Sequence, residues 1–381
     1  MPENKPVTGT SEGLPSQRLI GVDLLRGLAI FLVVSGHGRT GLPFPEAAWI
    51  QAAWNRAAGQ AGLGVFIFFV LSGFLITHML DRSPSGLLRP DLRSFYVRRA
   101  GRILPLFFLT LGFGLWVYSS ISIPSNRAAY CFRGPGAPYG PWFWACLPTF
   151  SFNWFLAFHP LQDYPRHWTM IWSLAVEEQF YLLYPLLLRR IGSVRHLKVF
   201  LGGIILLGFL SHGIFLALWP SNIPLLGFSS LSGFELIAMG AWLYLFLKEH
   251  PQLFRSPGAA SGAAFVGLTV LTTLLMGWIT LPEILFQTVW GSATTLVLAG
   301  ALRINWEGRS LARLAAKPGE MSYGLYLWHI SVLYFIAPFF QDHPWSLIYP
   351  AYLAATLGWA ALSYRFFEKP VNRAIRAGFM A

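Results

Sequence analysis

Apolar residues along this chain gather in long runs separated by short polar or basic turns. Ten runs approach the roughly 20 residues that span a bilayer as a helix: Leu19–Gly38, Ala61–Leu80, Ile103–Ile121, Ile171–Leu188, Val199–Trp219, Phe228–Leu247, Gly258–Thr280, Ile284–Leu302, Gly319–Phe340 and Trp345–Phe367. None alternates with period two, and each is too long for a barrel strand. The pattern predicts an all-α integral membrane protein of about ten transmembrane helices.

Between the runs most connections are short. Residues 1–18 are polar and proline-bearing and read as a disordered tail. The run from Leu19 is too long for a signal-peptide core and lacks a clear small-residue cleavage site, so it is expected to be retained. The stretch 122–170 is the one long loop, rich in Trp, Pro and Gly. Loops of that length usually carry function, and its aromatics suit a sugar-binding surface or one resting on the membrane. Cys131 and Cys146 both fall there, and two readings stand: a bridge on an oxidising face, or two buried thiols. The membrane domain is expected over 19–370, followed by a short basic tail at 371–381.

Composition supports the pattern. Hydrophobic residues make up 55% of the 381 and charged residues 12%, about half the charged share of a soluble chain. That excludes disorder, a disulfide scaffold and a soluble enzyme. The net charge of +12 raises nucleic acid as a partner, but the basic residues sit between apolar runs and form no phosphate-tracking surface. Topology accounts for them. With both termini in the cytoplasm, inner segments hold 22 of the 28 Lys and Arg and outer loops hold five, while Arg26 lies within the first run; this is the positive-inside bias.

Ionisable residues inside the runs are costly in lipid and are the first functional candidates. Arg26 and His37 in the first run are 11 residues apart, about 20° around a helix and roughly 16 Å along it. Asp23 can pair with Arg26 at i−3. Arg99 and Arg102 stand at the inner mouth of the third run at i, i+3, where guanidinium groups can clamp a phosphate arriving from the cytoplasm or simply anchor topology. The fourth run opens with Trp172, Ser173 and the adjacent carboxylates Glu177 and Glu178. Packing does not explain two neighbouring carboxylates, although a helix N-terminus gives some stabilisation. Glu235 and His329 are weaker candidates, each equally readable as a packing hydrogen bond. The segment Phe68–Phe74, with Ser72 and Gly73, reads as helix packing. No nucleotide-binding glycine motif, CxxC pair or metal-ligand set appears.

Taken in order, Arg26-x10-His37, Phe-Phe-Val-Leu-Ser-Gly-Phe-Leu-Ile-Thr ending at Thr77, Arg99-x-x-Arg102, Trp172-Ser-Leu-Ala-Val-Glu-Glu-Gln-Phe-Tyr181, Ser322-Tyr-Gly-Leu-Tyr-Leu-Trp-His329 and Phe367-Glu-Lys-Pro370 resemble the acyltransferase-3 family of membrane O-acyltransferases. Each piece alone is unspecific; six in order, from about Leu19 to Pro370, are specific. One departure is Ala175, where the family usually has Ser.

The resemblance implies a ten-span enzyme that moves an acyl group, often acetyl, from cytoplasmic acyl-CoA to a hydroxyl of a carbohydrate or glycosylated acceptor, with no metal. Some relatives carry a fused extracytoplasmic hydrolase-like domain; this chain ends about 11 residues after Pro370, so a form without it is expected. By position, His37 matches the catalytic histidine, Arg26 its paired arginine, and Arg99 and Arg102 the pair associated with acyl-CoA. Glu177 and Glu178 are expected at the depth of His37 and able to assist it. Trp172, Ser173 and His329 are assigned to the acceptor. The expected partners are acyl-CoA, a glycan and the lipid bilayer, with no nucleic acid, in a cell membrane. A transporter or flippase of a lipid-linked saccharide is the alternative, with a silent scaffold third; neither an inverted repeat nor interrupted helices favour transport.

Overall fold

The computed structural model describes residues 19–41, 61–120, 140–158, 168–254, 256–306, 308–336 and 343–380. Cys131, and with it the Cys131–Cys146 pairing, lies outside them, as do the tail 1–18 and the loop parts 121–139 and 159–167. Among the described residues the chain is helical, with no strand.

Each of the ten apolar runs overlaps a helix over part or all of its described length. In chain order these are α1 (Ile20–Gly41), α2 (Ala61–Asp81), α3 (Leu92–Ser120), the short α4 (Pro141–Cys146) and α5 (Phe152–Phe158), α6 (Ile171–Leu188), α7 (Val194–Leu218), the short α8 (Ile223–Phe228), α9 (Ser230–Glu249), α10 (Pro257–Leu275) and α11 (Glu283–Arg303). Two short helices follow, α12 (Ser310–Ala315) and α13 (Lys317–Glu320), then α14 (Ser322–Ile336) and α15 (Trp345–Ser363). A π-helical turn, Tyr364–Glu368, joins α15 to a last helix, α16 (Lys369–Met380). Among the described residues, six helices are long and apolar enough to cross a membrane: α1, α2, α7, α9, α10 and α11. Of the other four, α6 carries Glu177 and Glu178 and α14 has 15 residues.

Serines start several helices. Ser193, Ser229 and Ser256 each accept a hydrogen bond from the amide three residues on, at the N-termini of α7, α9 and α10, as N-caps do.

The core forms around α2, which packs against α1, α6, α9 and α11. Small residues allow this. A methyl group on Gly73 would fall on the Ile237 carbonyl oxygen, and one on Gly240 on that of Val70, so α2 and α9 cross backbone to backbone. Lipid-facing helices show the opposite: α7 exposes Val199, Leu206 and Leu207, and α10 exposes Phe265 and Val266. Such apolar faces are untenable in water. The protein is a multi-pass membrane protein.

The described part of the aromatic-rich loop, 140–158 and 168–170, holds both packed and exposed aromatics. Phe143, Phe152 and Trp168 are buried, with Phe143 stacked on Trp168 at 5.7 Å between ring centres. Trp142, Trp144 and Phe158 stay exposed. Cys146 is buried.

Candidate active site

The first helix holds Arg26 and His37 along one side, and the packing of α1 against α2 and α14 fixes what each meets. Arg26 lines a cavity of about 200 Å³ whose other walls come from α2, α3, α6, α14 and α16. Along α2 the lining runs from Val65 to Met79, roughly 21 Å at helical rise. That makes it a slot. Arg26, Arg98, Arg99, Arg102 and Arg376 line it, and Ser173 and Tyr326 line it further along α6 and α14.

The five arginines differ in their partners. Arg99 donates to Glu178 Oε1 from Nε at 3.1 Å and Nη2 at 2.8 Å, lies 3.9 Å from Glu177, and stacks its guanidinium 3.4 Å over the Tyr181 ring. Glu177 also accepts from Ser72 Oγ at 2.7 Å. Arg26 lies 3.7 Å from Asp23. Arg98, Arg102 and Arg376 make no ion pair among the described residues. Five arginines against three carboxylates leave the slot cationic, and the arginines without a carboxylate partner suit a phosphate-bearing ligand.

His37 meets His329. The two imidazoles are 5.0 Å apart between ring centres, with His329 Nε2 3.1 Å from His37 Nδ1. Nδ1 of His37 also lies 3.0 Å from the Val33 carbonyl oxygen, and Nδ1 of His329 lies 2.7 Å from that of Tyr326. Carbonyls only accept, so both Nδ1 atoms carry the hydrogen, and the single Nδ1–H of His37 is shared between the Val33 carbonyl and His329 Nε2. The lone pair of neutral His37 is then on Nε2. His329 is wholly buried and His37 partly so.

Glu177 and Glu178, expected at the depth of His37, have Ser72 and Arg99 as their described partners, and a second histidine occupies the Nδ1 side of His37. Depth along a helix does not set rotation, and α6 turns its carboxylates toward α2 and α3. Trp172 is buried edge-on against Phe69 at 6.0 Å and near Phe228 at 5.1 Å, off the cavity lining. Ser173 does line the slot, with its hydroxyl 2.5 Å from that of Tyr326. Glu235 is buried elsewhere, accepting from Gln287 and Thr288.

Several site residues were visible only as parts of motifs. Tyr323, Tyr326 and His329 recur at i, i+3, i+6, nearly one helix face, and Tyr181 stands at i+4 from Glu177. Tyr326 connects the two halves: it lines the slot, and its ring lies 5.8 Å from that of His329. The Phe367–Pro370 motif meets the Ser322–His329 motif directly. Glu368 accepts from Ser363 at 3.2 Å, and its Oε1 lies where a methyl on Gly324 would come within 2.5 Å. Among the described residues no cluster of three His, Cys, Asp or Glu could hold a metal.

An integral helical membrane protein with a cationic slot beside a histidine pair defines a class, and comparison with known proteins gives the family. The family described as "Acyltransferase domain" matches residues 19–365; the chain belongs to this acyltransferase-3 family. It is similar to the peptidoglycan O-acetyltransferase OatA of Listeria monocytogenes, 28% identical over 92% of this chain and 55% of the relative. YrhL of Bacillus subtilis, provisionally named a peptidoglycan O-acetyltransferase, is 26% identical over 92% of this chain and 54% of its own length. A Staphylococcus aureus protein, provisionally named an O-acetyltransferase, is 24% identical over 93% and 57%. The chain thus spans about half the length of the curated relatives it matches. No solved structure matches.

Proposed function

We propose that this protein transfers an acetyl group from acetyl-CoA, taken from the cytoplasm, to a sugar hydroxyl of a cell-envelope glycan, with His37 as general base. One observation carries the reading: the arginine-lined slot reaches Tyr326, which borders His329 and through it His37. Coenzyme A has an anionic nucleotide end and a long thin thioester arm, which matches a slot cationic at one end and otherwise largely apolar. The names of the relatives direct the acceptor toward peptidoglycan.

In this mechanism His37 Nε2 takes the acceptor hydroxyl proton as the oxygen attacks the thioester carbonyl. The carbon–sulfur bond breaks, and the imidazolium returns the proton to the leaving thiolate. Val33 and His329 hold the ring and stabilise its charged form from the Nδ1 side, the orienting role of the third member of a triad. Glu177 and Glu178 act one step back by positioning Arg99.

The test is release of free CoA by purified protein in detergent, given acetyl-CoA and peptidoglycan fragments. His37→Ala is expected to bind acetyl-CoA near normally and to lower turnover by roughly 10²–10⁴-fold. A folded, donor-binding His37→Ala protein with near wild-type turnover overturns the mechanism. Movement of a lipid-linked saccharide without CoA release identifies a transporter instead.

A further inference from the structure

One residue of the slot's lining comes from the end of the described chain. Lys369–Met380 forms the helix α16 and packs on α3. Its seat is Gly101, between Arg99 and Arg102: a methyl there would meet the Ile375 side chain at 2.8 Å. The π-turn at Tyr364–Glu368 sets the departure of α16 from α15, and Lys369 reaches back over the Tyr364 ring at 4.5 Å. Wide turns of this kind are uncommon and concentrate at functional sites. The result brings Arg376, adjacent to Ile375, into the cavity wall with Arg98 and Arg102, while Arg373 on the same helix does not line it.

We propose that α16 is a wall of the donor site and that Arg376 binds the phosphates at the nucleotide end of acyl-CoA. The placement rests on the donor reading above. Seating on Gly101 puts Arg376 at the level of residues 98–102, away from Ser173 and Tyr326, where the thioester would lie. Arg376 has no ion pair among the described residues, and its side chain is exposed at the mouth of the slot, where a charged ligand would enter. An amphipathic terminal helix that only rests on the membrane surface would use Arg373 and Arg376 alike. A wall of the site uses Arg376 alone.

The experiment measures acetyl-CoA binding to the full-length protein in detergent. Arg376→Ala is expected to weaken affinity about tenfold, from the loss of one charge-assisted hydrogen bond. Arg376→Lys should be intermediate and Arg373→Ala within about twofold of wild type. Turnover of acetyl-pantetheine, which lacks the phosphates, should not change in Arg376→Ala. Acetyl-CoA should also slow hydrogen exchange across 369–380 in the wild type, a readout independent of any variant's folding. Wild-type affinity in Arg376→Ala, with Arg102→Ala weakened, overturns this proposal and leaves the donor reading standing. Equal losses in Arg373→Ala and Arg376→Ala overturn it in favour of surface anchoring. If the wild type binds no acetyl-CoA, the donor reading itself falls, and the assignment of Arg376 with it.

Discussion

At the scale of single residues, the pairing of His37 with His329 is the arrangement that sequence spacing could not supply. The two are 292 positions apart, and each alone reads as an ordinary buried histidine. Their tautomers follow from two backbone carbonyls, so the role of His329 can be tested by what its Nε2 accepts. Gln at 329 can still offer an acceptor to His37 Nδ1, whereas Phe cannot. His329→Phe is expected to lower turnover by about tenfold or more relative to His329→Gln, the worth of one hydrogen bond to a group that becomes charged, with donor affinity equal in both. Equal turnover in the two variants removes His329 from the mechanism. Arg99 makes a second case. The pattern Arg99-x-x-Arg102 suggested two equivalent phosphate clamps, yet Glu178 occupies the fork of Arg99 and Tyr181 its face. Glu178→Ala leaves that guanidinium mostly buried with only the more distant carboxylate of Glu177, at 3.9 Å, and a buried pair broken on one side costs about 3 kcal/mol. Thermal unfolding in detergent should show a clear drop for Glu178→Ala and partial recovery in the double variant with Arg99→Ala. An unchanged melting temperature in Glu178→Ala would show the pair to be energetically idle.

At the scale of elements, what was legible was hydrophobic length. Runs such as Ala61–Leu80 and Ile284–Leu302 coincide with α2 and α11 to within one residue at each end, because apolar length dominates the signal in a membrane helix. Rotation and tertiary contact were not legible, since an all-round apolar helix has no face to read; the depth of Glu177 and Glu178 could be read, and the turn of α6 that sets them toward Ser72 and Arg99 could not. The helix α16 was also hidden. Twelve residues with several charges look like a tail, and only the seat at Gly101 shows what they pack against. Gly73 and Gly240 were readable in part, as small residues in an apolar helix, and their structural role is now specific. Gly240→Ala puts a methyl on the Val70 carbonyl and must push α2 from α9, at a cost of about 1–3 kcal/mol or more. Gly262 in α10 faces open space, and Gly262→Ala should be neutral or stabilise by up to about 1 kcal/mol. Melting of the two variants side by side checks the contrast, and equal stability would mean that the α2–α9 crossing is looser than its geometry.

At the scale of the whole molecule, charge and packing converge on one end of the bundle. Lys198 at the start of α7 donates to Glu249 at the end of α9 at 2.5 Å, and Lys248 donates to Asp81 at the end of α2 at 2.7 Å. The start of α1 lies against the end of α11, where a methyl on Gly21 would meet Ala301, and against α13, where one on Gly319 would meet Asp23. Arg98, Arg102 and Arg376 open at the start of α3 and on α16. These are segments that the 22-to-five split of basic residues assigns to the cytoplasm, and a common end is what that assignment requires. The proposed function requires the mouth of the slot to open on the cytoplasmic side, where CoA is available, with His37 toward the envelope glycans. Fusions test the arrangement directly. A reporter active only in the cytoplasm should give signal when joined after Ala381 and none when inserted at Gly140, while a reporter active only outside should do the reverse. Signal from the cytoplasmic reporter at Gly140 would turn the molecule over, remove the arginine mouth from its donor and end the acyl-CoA reading, whatever the behaviour of His37.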